Sequence, residues 1–376
     1  MFGLYACLMR PAIPQDFPLL KKDDWLASIP ALGRANRSLA EYNGMLRRLP
    51  NSNLLLSPLR LQEAVLSSRI EGTLATMSEV LQFEAGEPPE RESRRQDIEE
   101  ILNYRSALDV AMEELKTRPF SLNLLLKLHK LLLSSVRGHN KAPGEFRRQQ
   151  NYIGSRIGGV EQVRFMPPDW MKLEHSLSNW EKYYHSDDDP LVRLALVHAQ
   201  FEFLHPFLDG NGRIGRILIP IFLFEKGLLS QPTFYMSEYI EEHRDEYVDR
   251  LNDLGHSKNS WRNWTEFFLN ALTAQAQQNA TTADAILSLY ERLKERFMTT
   301  TRSRYAVPLL DAAFQLQYFQ ASQLEWKGDA PSKPTLMSML RALERNKIIM
   351  VYRGSSGRRS SIWWLPELIQ VIEKRT

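Results

Sequence analysis

Apolar residues recur with helical spacing along most of the chain. The clearest case begins at Ser57-Pro58, where serine suits the N-cap and proline suits the first helical position. It ends at Gly72, because glycine commonly follows the last residue of a helix. The apolar positions in between are Leu59, Leu61, Ala64, Val65, Leu66 and Ile70. This pattern predicts a helix at about residues 58–72.

The same periodicity predicts helices near residues 96–116, 121–136, 169–184, 189–203, 211–226, 238–254 and 260–280. Strand patterns between them are few. One hairpin is predicted at 150–166, because β-formers at Tyr152-Ile153 and at 163–165 flank a stretch that contains Gly158 and Gly159. Pro167-Pro168 ends it. The pattern therefore predicts a mainly α fold with a small β-hairpin.

After about residue 280 the pattern changes. Residues 283–298 are typical of a linking helix. Residues 309–319 and 322–325 precede a break at 328–334, and a helix is predicted at 335–345. Two short β-forming runs follow, at 348–352 and 361–365. Helix, turn, helix and hairpin is the order of a winged helix. Residues 331–376 hold nine Lys and Arg against three Glu, a local net charge of +6. Such a module can contact nucleic acid or protein, and both alternatives stay open.

The composition narrows the class of protein to which the chain can belong. The chain has 376 residues, 43% hydrophobic and 25% charged, which is typical of a soluble protein of two or three domains. The net charge is only +3, so the whole molecule is no obvious nucleic-acid binder. The single cysteine, Cys7, excludes a disulfide within the chain and favours a reducing compartment. Residues 1–9 lack a basic start and a cleavage site, and no apolar run approaches ~18 residues, so we expect a cytoplasmic protein.

Chemistry concentrates in the segment His205-Pro-Phe-Leu-Asp-Gly-Asn-Gly-Arg-Ile-Gly-Arg216. Gly210 and Gly212 flank Asn211 just before an apolar helix. Small residues at a helix N-terminus let backbone amides approach an anion, and the helix dipole favours negative charge there. Arg213 and Arg216 lie three residues apart, on one face of the first turns. This arrangement suits a polyphosphate.

Two further side chains in the segment bear on chemistry. Asp209 offers a hard oxygen ligand for a Mg²⁺ ion that bridges phosphates. His205 is the one obvious proton acceptor, since imidazole is largely neutral near pH 7. The glycines at 210, 212 and 215 also satisfy Gly-x-Gly-x-x-Gly, but a dinucleotide site needs a preceding strand, and residues 191–203 are helical by period.

The segment resembles the signature of the Fic family, H-P-F-x-[D/E]-G-N-G-R-x-x-R, at every defined position. The resemblance extends over residues 10–280, and a winged helix is a frequent appendage. It implies a protein adenylyltransferase in which His205 is the general base and Asp209 holds Mg²⁺ on the α- and β-phosphates of ATP. It further implies that Gly210, Asn211 and Gly212 form the anion hole, that Arg213 contacts phosphate oxygens and that Arg216 positions the γ-phosphate. Gly215, within the same motif, would belong to the ATP-binding residues.

The resemblance also assigns two neighbouring regions. The hairpin corresponds to the family's flap, which orients the target by strand pairing, and its contacts would come from Gln162, Val163, Arg164 and Phe165. Residues 243–247 resemble the helix on the adenine side, with Tyr247 and Val248 at the base pocket. Many members have Tyr-Tyr there and an Asn further on, whereas this chain has Tyr247-Val248 and Gly255. Base specificity is therefore less well defined than the phosphate site.

A second motif matches the family's inhibitory pattern, [S/T]-x-x-x-E-[G/N]. It is Ser67-Ser-Arg-Ile-Glu71-Gly72, at the end of the helix predicted above. Ser67 and Glu71 are four residues apart and project from one face. The resemblance implies that Glu71 pairs with Arg216 and keeps it from the γ-phosphate. The alternative is a surface glutamate at a helix end.

These patterns predict three regions: a helical region at 1–95 with the inhibitory helix, a catalytic core at 96–280, and the linking helix with the winged helix at 281–376. By the resemblance, the partners are Mg·ATP, a target protein that presents a Tyr, Ser or Thr hydroxyl, and a second copy of the chain. Self-modification, removal of AMP and transfer of other groups remain open, as does a DNA-binding regulator with the Fic domain as sensor. Metal-dependent hydrolysis is disfavoured, because the eight histidines show no His-Glu-x-x-His spacing.

Overall fold

Helices make up most of the structure, so the predicted mainly α fold is confirmed. The computed structural model describes residues 10–20, 26–49, 51–135, 140–157, 160–257, 259–326, 328–357 and 359–373. The helices are α1 Ile29–Arg48, α2 Ser52–Leu55, α3 Ser57–Ile70, α4 Met77–Glu84, α5 Glu92–Leu115, α6 Leu122–Leu132, α7 Leu173–Tyr184, α8 Pro190–Leu204, α9 Asn211–Glu225, α10 Ser237–Glu242, α11 Arg244–Asn252, α12 Ser260–Thr301, α13 Ala306–Leu316, α14 Lys333–Arg345 and α15 Pro366–Glu373. The strands are β1 Ile153–Ile157, β2 Val160–Phe165, β3 Tyr318–Gln320, β4 Met350–Arg353 and β5 Ile362–Trp364.

Several predicted boundaries were wrong in detail. The helix at 58–72 is α3, but its N-cap is Leu56 rather than Ser57, whose hydroxyl is buried without a partner. The segment 238–254 is two helices that meet at His243. The helices at 260–280 and 283–298 are one, because the stretch between them is rich in Ala, Gln and Thr and lacks Gly and Pro, so nothing ends the helix.

The core surrounds two consecutive helices, α8 and α9. Every residue of α8 after Pro190 is buried, and α8 packs against α7, α9 and α12, while α12 also packs along α1. Two tryptophans fix α8 by their indole N–H groups. Trp180 donates to the carbonyl of Val197 at 2.8 Å, and Trp264 donates to that of Ala195 at 2.8 Å. Truncating such a buried ring to Ala typically costs about 3–5 kcal/mol, so the core holds the turn after α8 rigidly.

The predicted hairpin consists of β1 and β2, which pair antiparallel with a bulge between Ile153 and Gly154. Its base adjoins the N-terminal segment, because the amide of Ala12 donates to the carbonyl of Met166 at 3.0 Å. Phe165, the last residue of β2, packs against Phe203 of α8 with ring centroids 5.3 Å apart. The hairpin is therefore anchored beside the C-terminal end of α8.

The C-terminal residues form a three-stranded antiparallel sheet in the order β3-β5-β4, with α13, α14 and α15 around it. The segment 309–319, the first helix of the expected winged-helix order, is helical only to Leu316; Gln317 then adopts φ +63°, and the chain continues as β3. A 3-10 turn, Ala321–Gln323, follows it. Pairing with β5 overrides the local helical pattern, and Tyr318 stacks on Trp364 across the two strands at 5.4 Å.

This C-terminal region packs on the elements around α3. Gln320 donates to the carbonyl of Ala85 at 2.6 Å, and the Tyr352 hydroxyl donates to Gln82 Oε1 at 2.9 Å. Ser78 donates to Glu373 at 2.7 Å. The first and last thirds of the sequence are therefore neighbours in the fold. Within the described ranges, no helix has the length and apolar character needed to cross a membrane.

Candidate active site

His205 lies at the turn between α8 and α9. It is the C-cap of α8 and adopts the left-handed conformation, φ 46° and ψ 59°. Its half-buried ring donates from Nδ1 to the carbonyl of Glu202 at 3.4 Å, which leaves the lone pair on Nε2. Burial lowers the pKa of His205 to about 4. The imidazole is therefore neutral near pH 7 and can accept a proton.

The loop between the two helices is held by polar side chains on its inner side. Asn211 accepts from the amide of Phe207 at 2.8 Å and donates to its carbonyl at 2.9 Å. His129 of α6 stacks on Phe207 with centroids 3.7 Å apart, and its Nε2 donates to the carbonyl of Asp209 at 3.0 Å. Gly210 completes the turn at φ +79°, in the left-handed region where glycine carries no steric cost. Asn211 thus shapes the loop with its side chain.

The first turn of α9 lies beside the Glu71 carboxylate. The first amides of a helix have no acceptor within it, and here they follow the tight turn at Gly210. A Cβ on Gly212 would stand 2.4 Å from Glu71 Oε1. Only glycine therefore lets a carboxylate, or any other anion, come this close to the first turn.

Glu71 makes an ion pair with Arg216. Arg216 is 3% exposed and donates from Nη2 to Glu71 Oε1 at 2.7 Å. The same guanidinium donates to the hydroxyl of Ser67 at 2.7 Å and to its carbonyl at 2.9 Å. Burial opposes the charge of Glu71, yet Arg216 and then Arg213 hold its pKa below the usual value. The three predicted residues meet as the spacing of Ser67 and Glu71 indicates, and Gly72 ends α3 with φ +103°.

A buried polar cluster lies behind this ion pair. Glu63, two turns before Glu71 on α3, accepts from the hydroxyls of Tyr104 at 3.0 Å and Ser237 at 2.6 Å. Burial raises the pKa of Glu63 to about 7. The cluster joins α3 to α5 and α10, so α3 is fixed along its length.

Asp209 and Arg213 contact each other at 3.4 Å. The Asp209 side chain is 44% exposed and accepts from the amide of Gly210 at 2.6 Å. Arg213 is 5% exposed, and its other contact is Glu100 of α5 at 3.3 Å. No sequence pattern indicates a role for Glu100. Asp209 is thus the accessible carboxylate of the segment, whereas Arg213 is committed to two acidic groups.

The buried carboxyl of Glu202, on α8, lies against Gly215 of α9. A Cβ on Gly215 would stand 2.0 Å from Glu202 Oε1, and that oxygen has no hydrogen-bond partner. Burial raises the pKa of Glu202 to about 7. His198 donates to the carbonyl of Gly215 at 3.1 Å and accepts from the Tyr247 hydroxyl at 2.8 Å. Gly215 is therefore a packing position rather than part of the helix N-terminus.

Tyr247 and Val248 lie on α11. Tyr247 is 7% exposed and packs edge-on against Trp264, with its hydroxyl directed to His198 as described. Val248 is partly buried against the core. Both therefore contribute to packing between α11, α8 and α12, and their role toward a base stays a prediction.

The four flap residues lie on β2. Val163 pairs with Gly154 and Gln162 with Ser155, while the side chain of Gln162 lies outside those described. Arg164 is exposed, and Phe165 packs on α8. The pairing of these residues with a target stays a prediction.

Sequence patterns missed the side chains that hold the site from a distance. Arg147 and Asn151, in the loop before β1, donate to the main chain around His205. His129 and Glu100 also act from other elements. None of them lies in a motif, and each reaches the segment only through the fold.

The sequence matches known families in two stretches. Residues 29–113 match the Fic/DOC family N-terminal region, and residues 119–223 match the Fic/DOC family. Together they span about half of the chain. The chain therefore carries a Fic/DOC domain preceded by the family's N-terminal region, and the predicted resemblance is confirmed at this level.

Curated relatives carry the name protein adenylyltransferase Fic. The protein of that name from Drosophila willistoni is 27% identical over 207 residues, which are 54% of this chain and 38% of that protein. The one from Drosophila melanogaster is 35% identical over 104 residues, which are 27% of this chain and 20% of that protein. The chain thus spans well under half the length of these relatives.

Solved structures share the fold. A Fic family protein from Desulfovibrio desulfuricans G20 aligns with a TM-score of 0.57 and 18% identity over 93% of this chain and 98% of that one. A Fic domain containing signaling protein from Bacteroides thetaiotaomicron VPI-5482 aligns with a TM-score of 0.54 and 18% identity over 68% and 97%. The first alignment extends the shared fold over nearly the whole chain.

Proposed function

We propose that this chain is a protein adenylyltransferase that rests in an inhibited state. The observation that carries the proposal is the ion pair of Arg216 with Glu71 at 2.7 Å, beside Gly212 in the first turn of α9. A neutral base, an accessible carboxylate and a buried guanidinium lie within one segment of the chain. The relatives named protein adenylyltransferase support the same chemistry.

The reaction follows from the positions of these groups. The hydroxyl of the target attacks the α-phosphorus of ATP, the bond from that phosphorus to the bridging oxygen breaks, and pyrophosphate leaves. His205 takes the hydroxyl proton at Nε2, the nitrogen left free by its contact with Glu202. The amides at the start of α9 stabilise the charge on the phosphates, and Arg216 holds the γ-phosphate. Positioning and fixed dipoles supply most of the rate enhancement.

Mg²⁺ would be held by Asp209 together with the α- and β-phosphates. Among the described side chains, no three His, Cys, Asp or Glu come together as a metal-binding group. The donor set nonetheless fits, since Mg²⁺ in nucleotide sites usually takes one or two carboxylates, phosphate oxygens and water. The Asp209 carboxylate is 44% exposed and can reach such an ion. When bound, Mg²⁺ neutralises phosphate charge.

Inhibition is a competition between two anions for Arg216. The Glu71 carboxylate lies against Gly212 and Arg216, the position a γ-phosphate would need. A charge-assisted hydrogen bond in a buried site is strong, so ATP must displace Glu71 to bind in a productive pose. The target would be a Tyr, Ser or Thr side chain, including one on the chain itself. Removal of AMP at the same site would be hydrolysis, in which water attacks the phosphorus and the free hydroxyl and AMP are the products.

The test is transfer of label from [α-³²P]ATP to the chain itself in the presence of Mg²⁺. We expect Glu71→Gly to label itself at least about tenfold faster than wild type, because Arg216 becomes available. His205→Ala in the Glu71→Gly background should abolish labelling. Glu90→Gly is the matched control, since Glu90 is an exposed glutamate remote from Arg216 in sequence. Equal labelling by wild type and Glu71→Gly would sink the inhibition, and label on the His205→Ala chain would overturn the assigned base.

We propose as a second function that the C-terminal region, with the helix and strand order expected of a winged helix, contacts DNA, and this proposal rests on charge. The exposed face of α14 and the loops beside it carry Lys333, Arg341, Arg345, Lys347 and Arg359. None of these five has a carboxylate partner among the described residues, whereas Arg292 and Arg296 of α12 both pair with Glu367. Arg358, Lys374 and Arg375 lie outside the described residues. Unpaired guanidiniums on one helix face suit a phosphate backbone.

Fluorescence anisotropy with a labelled DNA duplex tests this contact. Binding should weaken as salt rises, because it releases counterions. Arg341→Ala combined with Arg345→Ala should weaken it about tenfold or more, while His205→Ala should leave it unchanged. If the affinity for DNA does not change with salt or with the double substitution, this face does not contact DNA.

A further inference from the structure

The side chain of Arg147 makes several hydrogen bonds near the catalytic base, His205. It lies in the loop between α6 and β1 and is 2% exposed. Its guanidinium donates only to main-chain carbonyls, and its own amide also donates to one, that of Pro206 at 2.9 Å. The guanidinium acceptors are the carbonyls of His205 at 2.9 Å, Gln149 at 3.1 Å, Pro168 at 2.5 Å and Leu204 at 3.3 Å.

These carbonyls belong to three segments: the end of α8, the segment before β1 and the segment after β2. Leu204 and His205 end α8 and carry the base. Gln149 precedes β1, and Pro168 follows β2, so they are the two roots of the flap. One side chain therefore joins the base to both strands of the hairpin that is expected to hold the target.

Two neighbours of Arg147 repeat the same connection. Asn151 donates to the carbonyls of His205 at 3.3 Å and Phe207 at 3.0 Å. Gln150 donates to the carbonyl of Pro167 at 2.8 Å. The bonds of residues 147–151 thus run to the turn of the base on one side and to the end of the flap on the other.

The chemistry of Arg147 indicates that its side chain orients the surrounding main chain and does not merely fill space in the core. A buried charge is costly unless its donors are satisfied, and a planar guanidinium fixes several acceptors in one orientation. Burial lowers the pKa of Arg147 to about 10, so it stays charged near pH 7. Its positive charge also helps to keep His205 neutral. A neutral residue would supply neither the fork nor the charge.

We propose that Arg147 is a positioning residue that fixes the flap relative to His205, so that a hydroxyl aligned on β2 meets Nε2 of the base. This inference rests on the proposed adenylyl transfer. It assigns to Arg147 no contact with ATP. Changing Arg147 should therefore slow transfer much more than it weakens nucleotide binding.

The experiment uses the full chain with Glu71→Gly as parent. We expect Arg147→Lys, which keeps the charge but loses the fork, to slow single-turnover self-labelling at saturating ATP by about 30-fold or more. The Kd for Mg·ATP, measured by calorimetry on a His205→Ala chain with and without Arg147→Lys, should change less than about twofold. Arg148→Lys is the matched control, because Arg148 is the exposed neighbour.

The pH profile separates the two roles of Arg147. Arg147→Gln removes both charge and fork, so the acid limb of the single-turnover rate should move to higher pH, whereas Arg147→Lys should leave it in place. Asn151→Ala supplies a milder break of the same connection if Arg147→Gln fails to fold, and it should slow transfer without altering the Kd for Mg·ATP.

The outcomes distinguish this inference from the proposed function. A parent that never labels itself contradicts adenylyl transfer and removes the basis of the inference. A parent that labels itself, with Arg147→Lys and Asn151→Ala at the parental rate, overturns the positioning role alone. A loss of rate that is matched by an equal loss of Mg·ATP affinity also overturns it, because that pattern indicates general damage to the site.

Discussion

The two ends of the twelve-residue segment are held in opposite ways. At the first end, His205 is fixed through main-chain carbonyls, which accept from the side chains of Arg147 and Asn151. At the last end, Arg216 is fixed through its own charged side chain, by Glu71 and Ser67 of α3. Carbonyl contacts leave the imidazole free to act, whereas the ion pair occupies the group that would bind substrate.

This difference separates a permanent support from an exchangeable contact. No ligand can replace the bonds to the carbonyls of Leu204 and His205, because they are internal to the fold. A phosphate can replace Glu71, because it offers the same kind of acceptor with more charge. We infer that regulation acts at the Arg216 end and that the His205 end is set by folding.

The prediction with the largest expected effect tests the Arg216 end: it removes the charge of Glu71 but keeps an oxygen that can accept a hydrogen bond. Glu71→Gln keeps an oxygen that can accept from Arg216 but loses the ionic component. Because Arg216 stays a charged donor and only the charge–charge attraction is lost, we expect self-labelling between that of wild type and Glu71→Gly, about 3-fold to 10-fold above wild type. The measurement is the initial rate with labelled ATP, at equal protein concentration.

A Glu71→Gln chain that is as slow as wild type would show that shape, rather than charge, blocks the site. In that case Arg216 would be free of electrostatic competition, and the exchangeable contact inferred for this end would be wrong. Added salt offers an independent check, since it should raise the wild-type rate more than that of the glutamine variant.

The second prediction concerns the support beneath α9. A Cβ at Gly215 would meet the buried Glu202 carboxyl at 2.0 Å, so Gly215→Ala should destabilise the fold by about 1–3 kcal/mol. Gly44→Ala is the matched control. Gly44 lies inside α1 with nothing within 4 Å of its Cβ position, and alanine should stabilise that helix by about 0.5–1 kcal/mol. Thermal melts of the two variants should therefore shift in opposite directions, and parallel shifts would contradict the packing described.

Much of the molecule could be predicted from local pattern. The helices at 189–203 and 211–226 lie within a residue of α8 and α9, because a capping residue and a continuous apolar run define each of them. The motif residues converge because ten residues between His205 and Arg216 leave little freedom. The pair of Ser67 and Glu71 also follows from helical spacing, since residues four apart share a face.

What could not be predicted depends on distant contacts. The first long helix, α1, has few clear capping or periodicity signals in the sequence, and it is held in the fold by packing against α12. The strand β3 arises only because β5 pairs with it. Arg147 and Glu202 look like ordinary charged residues in the sequence, and only burial reveals their roles, since burial depends on which elements surround them.

The last prediction tests whether the His205 end is as rigid and dry as its contacts indicate. Burial lowers the pKa of His205 to about 4 in the folded chain, against about 6.5 for a free histidine. The ring should therefore stay neutral as pH falls from 8 to about 5, and its Cε1 proton resonance should move only below that. NMR of histidine-labelled chain gives this directly, with the signal assigned by its loss in His205→Ala. A midpoint near 6.5 would mean that water reaches the ring freely, and the contrast between a rigid His205 end and an exchangeable Arg216 end would no longer hold.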